Sequence, residues 1–355
     1  MQTEGLSFNK PKSIHKMTKH LALFTFVFLL YFTGEAQNPS EFLPEKPGKW
    51  SYLNNVTSTE TEYLAYKKAM ATLAEWFHQN IPMLTNPKGY DLLATTYGQF
   101  DKYYRMDKCN YGLRDEMHFS FQLFFSGGGK WTIEPPAYSF DVNDTEAGHS
   151  SGGKVAWFDE TKDDPALEKA INAAAVKMNG IFPAFEFVKQ IAQGVDVYRE
   201  SENAAPHHVI VYNPERPPYW LPVTVKELAD MYLEYYSFFK KNEIDRLLFD
   251  ELKKEVANIP PEELNAQAFL GHESNIVFRM NGRKEGLPLV RFNPDYWDRS
   301  RPTSDIQFMT FYYPQMDTAQ MEESYRNNGH PQYSQFLVNQ FDWSKIAELV
   351  KKGNF

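Results

Sequence analysis

The sequence predicts an α+β fold, with antiparallel-rich sheet regions and packed helices in a single large body or two intimately packed subdomains. Three observations predict it. Strict alternation runs through Met117-His118-Phe119-Ser120-Phe121-Gln122-Leu123, the pattern of a strand with one buried face. Helical spacing recurs elsewhere, at Tyr66, Ala69, Met70, Leu73, Trp76 and Phe77, and at Leu167, Ile171, Ala174 and Met178. Strand-like and helix-like segments follow one another without regular βα order, which argues against a parallel α/β sheet.

Taken in order, residues 37–57 are Pro-rich and read as an extended lead-in. Thr59-Glu60-Thr61-Glu62 has capping-box spacing and opens a helix to about Asn80, closed by Pro82. Residues 91–142 change to a period of two. Ser126-Gly-Gly-Gly-Lys130 turns the chain into a further strand near Trp131–Ile133. Asp164-Pro165 starts a helix that Gly180 ends. A short β-run follows at His208–Tyr212, and Thr224-Val-Lys-Glu227 is a second capping box. The helical region it opens breaks near Lys241-Asn242 and stops at Pro260-Pro261. Alternation returns at Ile276–Met280, Leu287–Phe292 and Ile306–Tyr313, and Asp342 caps a last helix. An N-terminal α+β region at 58–205 and a C-terminal one at 206–355 are expected.

The first 36 residues read as a secretory signal peptide. Lys10, Lys12, Lys16 and Lys19 precede an apolar run from Leu21 to Phe32, followed by Thr33-Gly34-Glu35-Ala36, with cleavage expected after Ala36. Met17 offers a simpler start. The run falls short of the roughly 20 apolar residues that span a bilayer, and Gln37 excludes a lipidated cysteine there. The expected product is soluble and exported, periplasmic or extracellular, with no membrane span in the mature chain.

Charge and cysteine content narrow the partners. The net charge is −9, so no general attraction to phosphate backbones exists and nucleic acid is not an expected partner. Cys109 stands alone, which forbids an internal disulfide and suits a bacterial envelope. A lone cysteine reads as a small buried hydrophobe, and Asn55-Val-Thr57 and Asn143-Asp-Thr145 as coincidental sequons. With 28 Phe, 21 Tyr and 7 Trp, the chain has rings for a core and some to spare for a surface.

One internal echo stands out. Val209-Ile-Val-Tyr-Asn213-Pro-Glu-Arg-Pro-Pro-Tyr219-Trp220 resembles Leu289-Val-Arg-Phe-Asn293-Pro-Asp295-Tyr296-Trp297-Asp-Arg299. Each is a strand ending in an aromatic, then Asn-Pro, an acid and a Tyr-Trp pair. Tyr219, Trp220, Tyr296 and Trp297, with Asp295 and Arg299, are the candidate binding residues. Two readings compete for them: a flat aromatic platform for a glycan, peptide or protein ligand, or caps on the core.

No motif of known chemistry is complete, and no cofactor is expected. Gly148-His-Ser-Ser-Gly-Gly-Lys154 has the spacing of a phosphate-cradling loop, but Val155 replaces the hydroxyl that holds magnesium. Asp141-Val-Asn143-Asp144-Thr145-Glu146 offers alternate oxygen ligands, yet Glu146 stands where a helix-loop-helix calcium site needs Gly. A looser calcium loop stays open. His207-His208 and His272-Glu273 form no His-Glu-x-x-His run, and adjacent strand residues face opposite ways. No Gly-x-Ser-x-Gly elbow occurs. The expectation is a non-catalytic envelope protein binding through the aromatic loops; the alternative is a secreted hydrolase of glycans or peptides using Asp295, Asp298 or Glu215.

Overall fold

The alternation at Met117–Leu123 becomes the third strand of an eight-stranded sheet. The structure is a computed structural model describing residues 41–57, 59–97, 111–144, 164–199, 208–239, 243–270, 287–312, 316 and 318–353. The strands of this sheet are β1 (Trp50–Asn54), β2 (Tyr90–Thr96), β3 (Asp115–Leu123), β4 (Ala137–Val142), β6 (Glu186–Ala192), β7 (Val195–Arg199), β8 (His208–Tyr212) and β12 (Phe308–Tyr312). Their spatial order is β1-β2-β3-β4-β12-β8-β7-β6. β1 runs parallel to β2, and every other neighbouring pair is antiparallel.

Register explains the alternation. Met309 lies opposite Val142 on one side and Val211 on the other, and Phe311 lies between Phe140 and Val209. These residues share one face with Met117, Phe119 and Phe121, all buried. Helices α1 (Thr61–Asn80), α8 (Tyr333–Val338) and α9 (Trp343–Lys352) cover that face. Phe77 of α1 packs on Phe119, Phe140 and Phe341 at centroid distances of 5.9, 5.0 and 5.6 Å. The helical stripe read from the sequence is thus the core side of α1. β12 sits between β4 and β8, so the sheet draws on both halves of the chain and the boundary near residue 205 runs through it.

A smaller antiparallel sheet centres on β11 (Leu287–Phe292), which pairs with β5 (Ile181–Pro183), β9 (Trp220–Pro222) and β10 (Phe269–Leu270). Val223, Val225, Leu228 and Leu289 form a core beside it. The helices of this region are α3 (Pro165–Asn179), α4 (Val225–Ser237), α5 (Glu243–Ala257) and α6 (Pro261–Leu264). Thr224 caps α4, its hydroxyl accepting the Glu227 N–H at 3.1 Å, while the Glu227 carboxylate pairs with Arg291 at 2.6 Å. Asp342 likewise accepts the Lys345 N–H at 3.2 Å, and Gly353 ends α9 in the left-handed region at φ 67°.

Three expectations need correcting. The lead-in contains β1, because Trp50 and Tyr52 pack against the core while Ser51 and Leu53 face out. Residues Trp131–Ile133 form no strand; Ile133 is 80% exposed, and the next strand waits until Ala137, after Pro135-Pro136. The first helix is preceded by Glu60 rather than capped by Thr59, and Glu62 accepts a hydrogen bond from Thr303. The strands β5–β7, the helical turn α2 (Pro82–Thr85) and the helices α7 (Thr318–Asn328) and α8 are additions. The leader, Cys109, the Gly148–Lys154 stretch, His207, His272-Glu273 and the Ile276–Met280 run lie outside the described residues.

Candidate functional site

The two echoing segments fold alike and clasp each other. In each, the Asn side chain accepts the N–H of the acid two residues on, Glu215 to Asn213 and Asp295 to Asn293, both at 3.0 Å. Asn293 N–H then donates to the Tyr219 carbonyl at 2.7 Å, and its side-chain amide donates to the Pro218 carbonyl at 2.7 Å. The Tyr296 hydroxyl accepts the Asn213 N–H at 2.9 Å and donates to the Gln307 carbonyl at 2.7 Å. Arg216 spreads its guanidinium over the carbonyls of Asp295, Tyr296 and Trp297 at 2.7–3.0 Å.

The clasp turns the Tyr-Trp pairs inward. Tyr219, Tyr296 and Trp297 are 7%, 1% and 1% exposed and pack with Phe292, Phe308 and Ile210. The exposed-platform reading is corrected for these three, since their rings pack in the core and the Tyr219 and Tyr296 hydroxyls are hydrogen-bonded there. Trp220 is half-buried beside Phe182 and Tyr198, with its indole N–H buried and unpaired. Asp295 and Arg299 are exposed, Arg299 lying 5.0 Å over the Tyr111 ring. Asp298 accepts Ser300 N–H and hydroxyl bonds, which hold its carboxyl below the usual range, and Glu215 pairs with Lys351 at 2.7 Å. Of the alternative catalytic acids, Asp298 thus serves a turn and Glu215 an ion pair, while Asp295 stays exposed.

Behind the aromatic cluster, Asp196 gathers hydroxyls. It accepts Tyr219 at 3.1 Å and Gln190 at 3.1 Å, and Tyr198 bonds Tyr219. Burial raises all three of Tyr198, Tyr212 and Tyr219, Tyr212 to about 12, so their protons stay in place at neutral pH.

Farther along the same face lies a group that sequence reasoning missed. Cross-strand pairing aligns Glu116, Asp141, Thr310, Ile210 and Asp196 in one row. Directly opposed residues on an antiparallel pair share a face, with Cβ atoms about 5 Å apart. In the adjoining row His118 Nδ1 meets the Ser139 hydroxyl at 2.8 Å. Asp144 is buried and 3.6 Å from Arg114. Tyr312, 52% exposed, follows two residues after Thr310.

The two opposed carboxyls are pushed in opposite directions by their surroundings. The neighbouring His118 and, less strongly, Ser139 favour the Glu116 carboxylate and hold it below the usual carboxylate range. Burial pushes Asp141 up to about 8, reinforced by the charges of Asp144 and Glu116. The surroundings thus favour the ionised form of Glu116 and the protonated form of Asp141 at neutral pH. His118, Ser139 and Glu116 do not make a nucleophilic triad. The carboxylate, at 3.9 Å, and the hydroxyl both approach Nδ1, whereas a triad needs them on opposite ring nitrogens.

Other candidates resolve into structure. Asn143, at φ 54° and fully buried, donates to the Leu113 and Asp305 carbonyls and accepts the Gln307 N–H. That side chain is spent on clamping β12 to β4, so it is neither a calcium ligand nor a sugar acceptor. No group of three metal-ligating side chains occurs among the described residues. His208 stacks on Phe185 at 4.1 Å. No helix among the described residues is long and apolar enough to cross a membrane. No family model, curated protein or solved structure matches this chain.

Proposed function

We propose that this is an exported bacterial envelope protein that binds a glycan, peptide or protein partner without catalysis. One observation supports this reading above the rest. Glu116, His118, Ser139, Asp141 and Tyr312 share one sheet face beside a frame of aromatic loops clamped by Arg216 and Tyr296. A rigid frame next to half-exposed polar groups binds with little ordering cost. Export rests on the basic, apolar and small-residue order of residues 10–36. Intact-mass measurement on protein from the native cell tests export, with an N-terminus at Gln37 expected. Glycan and peptide arrays test binding: retention by the wild type should vanish in Glu116→Gln combined with Tyr312→Ala, with unchanged circular dichroism. Array binding that ignores both substitutions overturns the assignment of this face.

A second reading, a hydrolase of the same ligand classes, draws on the unlike charge states of Glu116 and Asp141. Neighbouring carboxyls, one ionised and one protonated, are what acid-base hydrolysis of a glycosidic bond requires. Turnover of an array hit, lost in Asp141→Asn while binding persists, selects this reading over the first.

A further inference from the structure

We propose that the Glu116–Asp141–Thr310 row receives a cationic nitrogen, the ammonium or guanidinium of a basic ligand. The inference rests on the binding reading above and names the chemistry of the ligand at that face. Two independent features meet at the row. The first is an excess of carboxyls: Glu116 and Asp141 lie opposite each other across β3 and β4, with Asp144 and Asp115 adding negative charge nearby. Arg114 is the guanidinium placed among them, 3.6 Å from Asp144. The second is Thr310. It is 3% exposed, and its hydroxyl is buried with no hydrogen-bond partner. A buried hydroxyl left unpaired is costly, so such a group in a native fold points to a donor that completes it. Thr310 stands directly across from Asp141, and on its other side Ile210 offers no polar side-chain atom.

A cation satisfies all three members of the row. The Thr310 oxygen and the two carboxyls are acceptors, whereas Lys and Arg head groups are pure donors. A neutral sugar hydroxyl brings one proton to donate and leaves the carboxyl excess unrelieved. Arrival of the cation also favours ionised Asp141, so binding should expel the proton that Asp141 carries at neutral pH. Among the described residues, the charged and titratable groups around Asp141 are Glu116, Asp115, Arg114 and His118 on or before β3, and Asp144 after β4. β12 contributes only the neutral Thr310 at the row.

The test is calorimetric titration of the full mature chain with acetyl-arginine amide, and with acetyl-lysine amide as the ammonium arm. Acetyl-citrulline amide is the neutral isostere, and N-acetylglucosamine the sugar control. Affinity for the cationic probes should rise about tenfold or more between pH 6.5 and 9, as Asp141 loses its proton without cost to the ligand. At pH 7, titrations in buffers of different ionisation enthalpy should show close to one proton released. Citrulline should bind at least about tenfold more weakly, the order expected when a charge-assisted bond is lost. Asp141→Asn should abolish the pH dependence, and Thr310→Val should weaken binding several-fold. The wild-type pH profile and proton release decide the matter even if a variant misfolds. Equal binding of arginine and citrulline probes, pH-indifferent binding, or no response to either cation overturns the inference. N-acetylglucosamine binding alone also overturns it, yet leaves the binding reading standing. Turnover of a glycan or peptide at this face removes the non-catalytic reading but not the cation subsite.

Discussion

The hydroxyl of Tyr296 receives the backbone N–H of Asn213, 83 residues earlier, across 2.9 Å. This bond joins the two Asn-Pro turns, and the same hydroxyl donates a hydrogen bond to the Gln307 carbonyl. Tyr296 is 1% exposed, so Tyr296→Phe leaves the N–H of Asn213 and one acceptor at Gln307 without this partner in the interior. A loss of about 1–3 kcal/mol of stability is expected. Urea denaturation checks it, and an unchanged midpoint would show the clasp to be incidental.

Trp297 separates the platform reading from the frame reading. A surface ring can be truncated with little effect on stability. Trp297 instead packs on Phe292 at 5.2 Å and on Tyr296 at 5.9 Å, with 1% exposure. Trp297→Ala should destabilise the fold by about 3–5 kcal/mol through the cavity it leaves. Trp220→Ala, at a half-buried ring, should cost clearly less in the same denaturant series.

Arg216→Lys tests the geometry of the clasp at constant charge. Three carbonyls accept from one guanidinium, whose fork of donors a single ammonium cannot reproduce. The substitution should lower the melting temperature by several degrees, corresponding to about 1–2 kcal/mol. Circular dichroism on heating reads this directly, and a melting temperature equal to wild type would remove the guanidinium from the clasp.

The helix caps show how far local pattern reaches. Thr224 and Asp342 each hold the predicted bond, so Thr224→Ala or Asp342→Ala should cost about 1 kcal/mol, while Thr59→Ala should be near neutral. Caps, the His208–Tyr212 strand and the Pro165–Asn179 helix are local and were legible. So was the Asn-Pro echo, whose two turns bond alike. Which way its rings face was not, because that depends on β9 meeting β11 and on an arginine reaching across 80 residues. The Glu116–Asp141–Thr310 row was hidden for the same reason. In sequence, Glu116 and His118 are the polar half of an alternating strand and look like a solvated face. Only strand order, with β12 inserted beside β4, brings Thr310 to Asp141.

Asp141 imposes a pH dependence on stability whose sign follows from burial. Its carboxyl rises from 3.8 to about 8 in the fold, chiefly because burial penalises the charge and then because Asp144 and Glu116 repel it. A folded-state value above the unfolded one means the native state binds more protons across that window. Stability contributed through this group is therefore present below about pH 4 and falls as pH rises toward 8. Asp141→Asn removes the ionisation while keeping size and hydrogen-bonding capacity. Its melting temperature, relative to wild type, should climb progressively from pH 5 to pH 8 and level off above pH 9. Parallel melting profiles for the two proteins would mean that Asp141 is ionised in the native state, and with it would go the unlike charge states assigned to the Glu116–Asp141 pair.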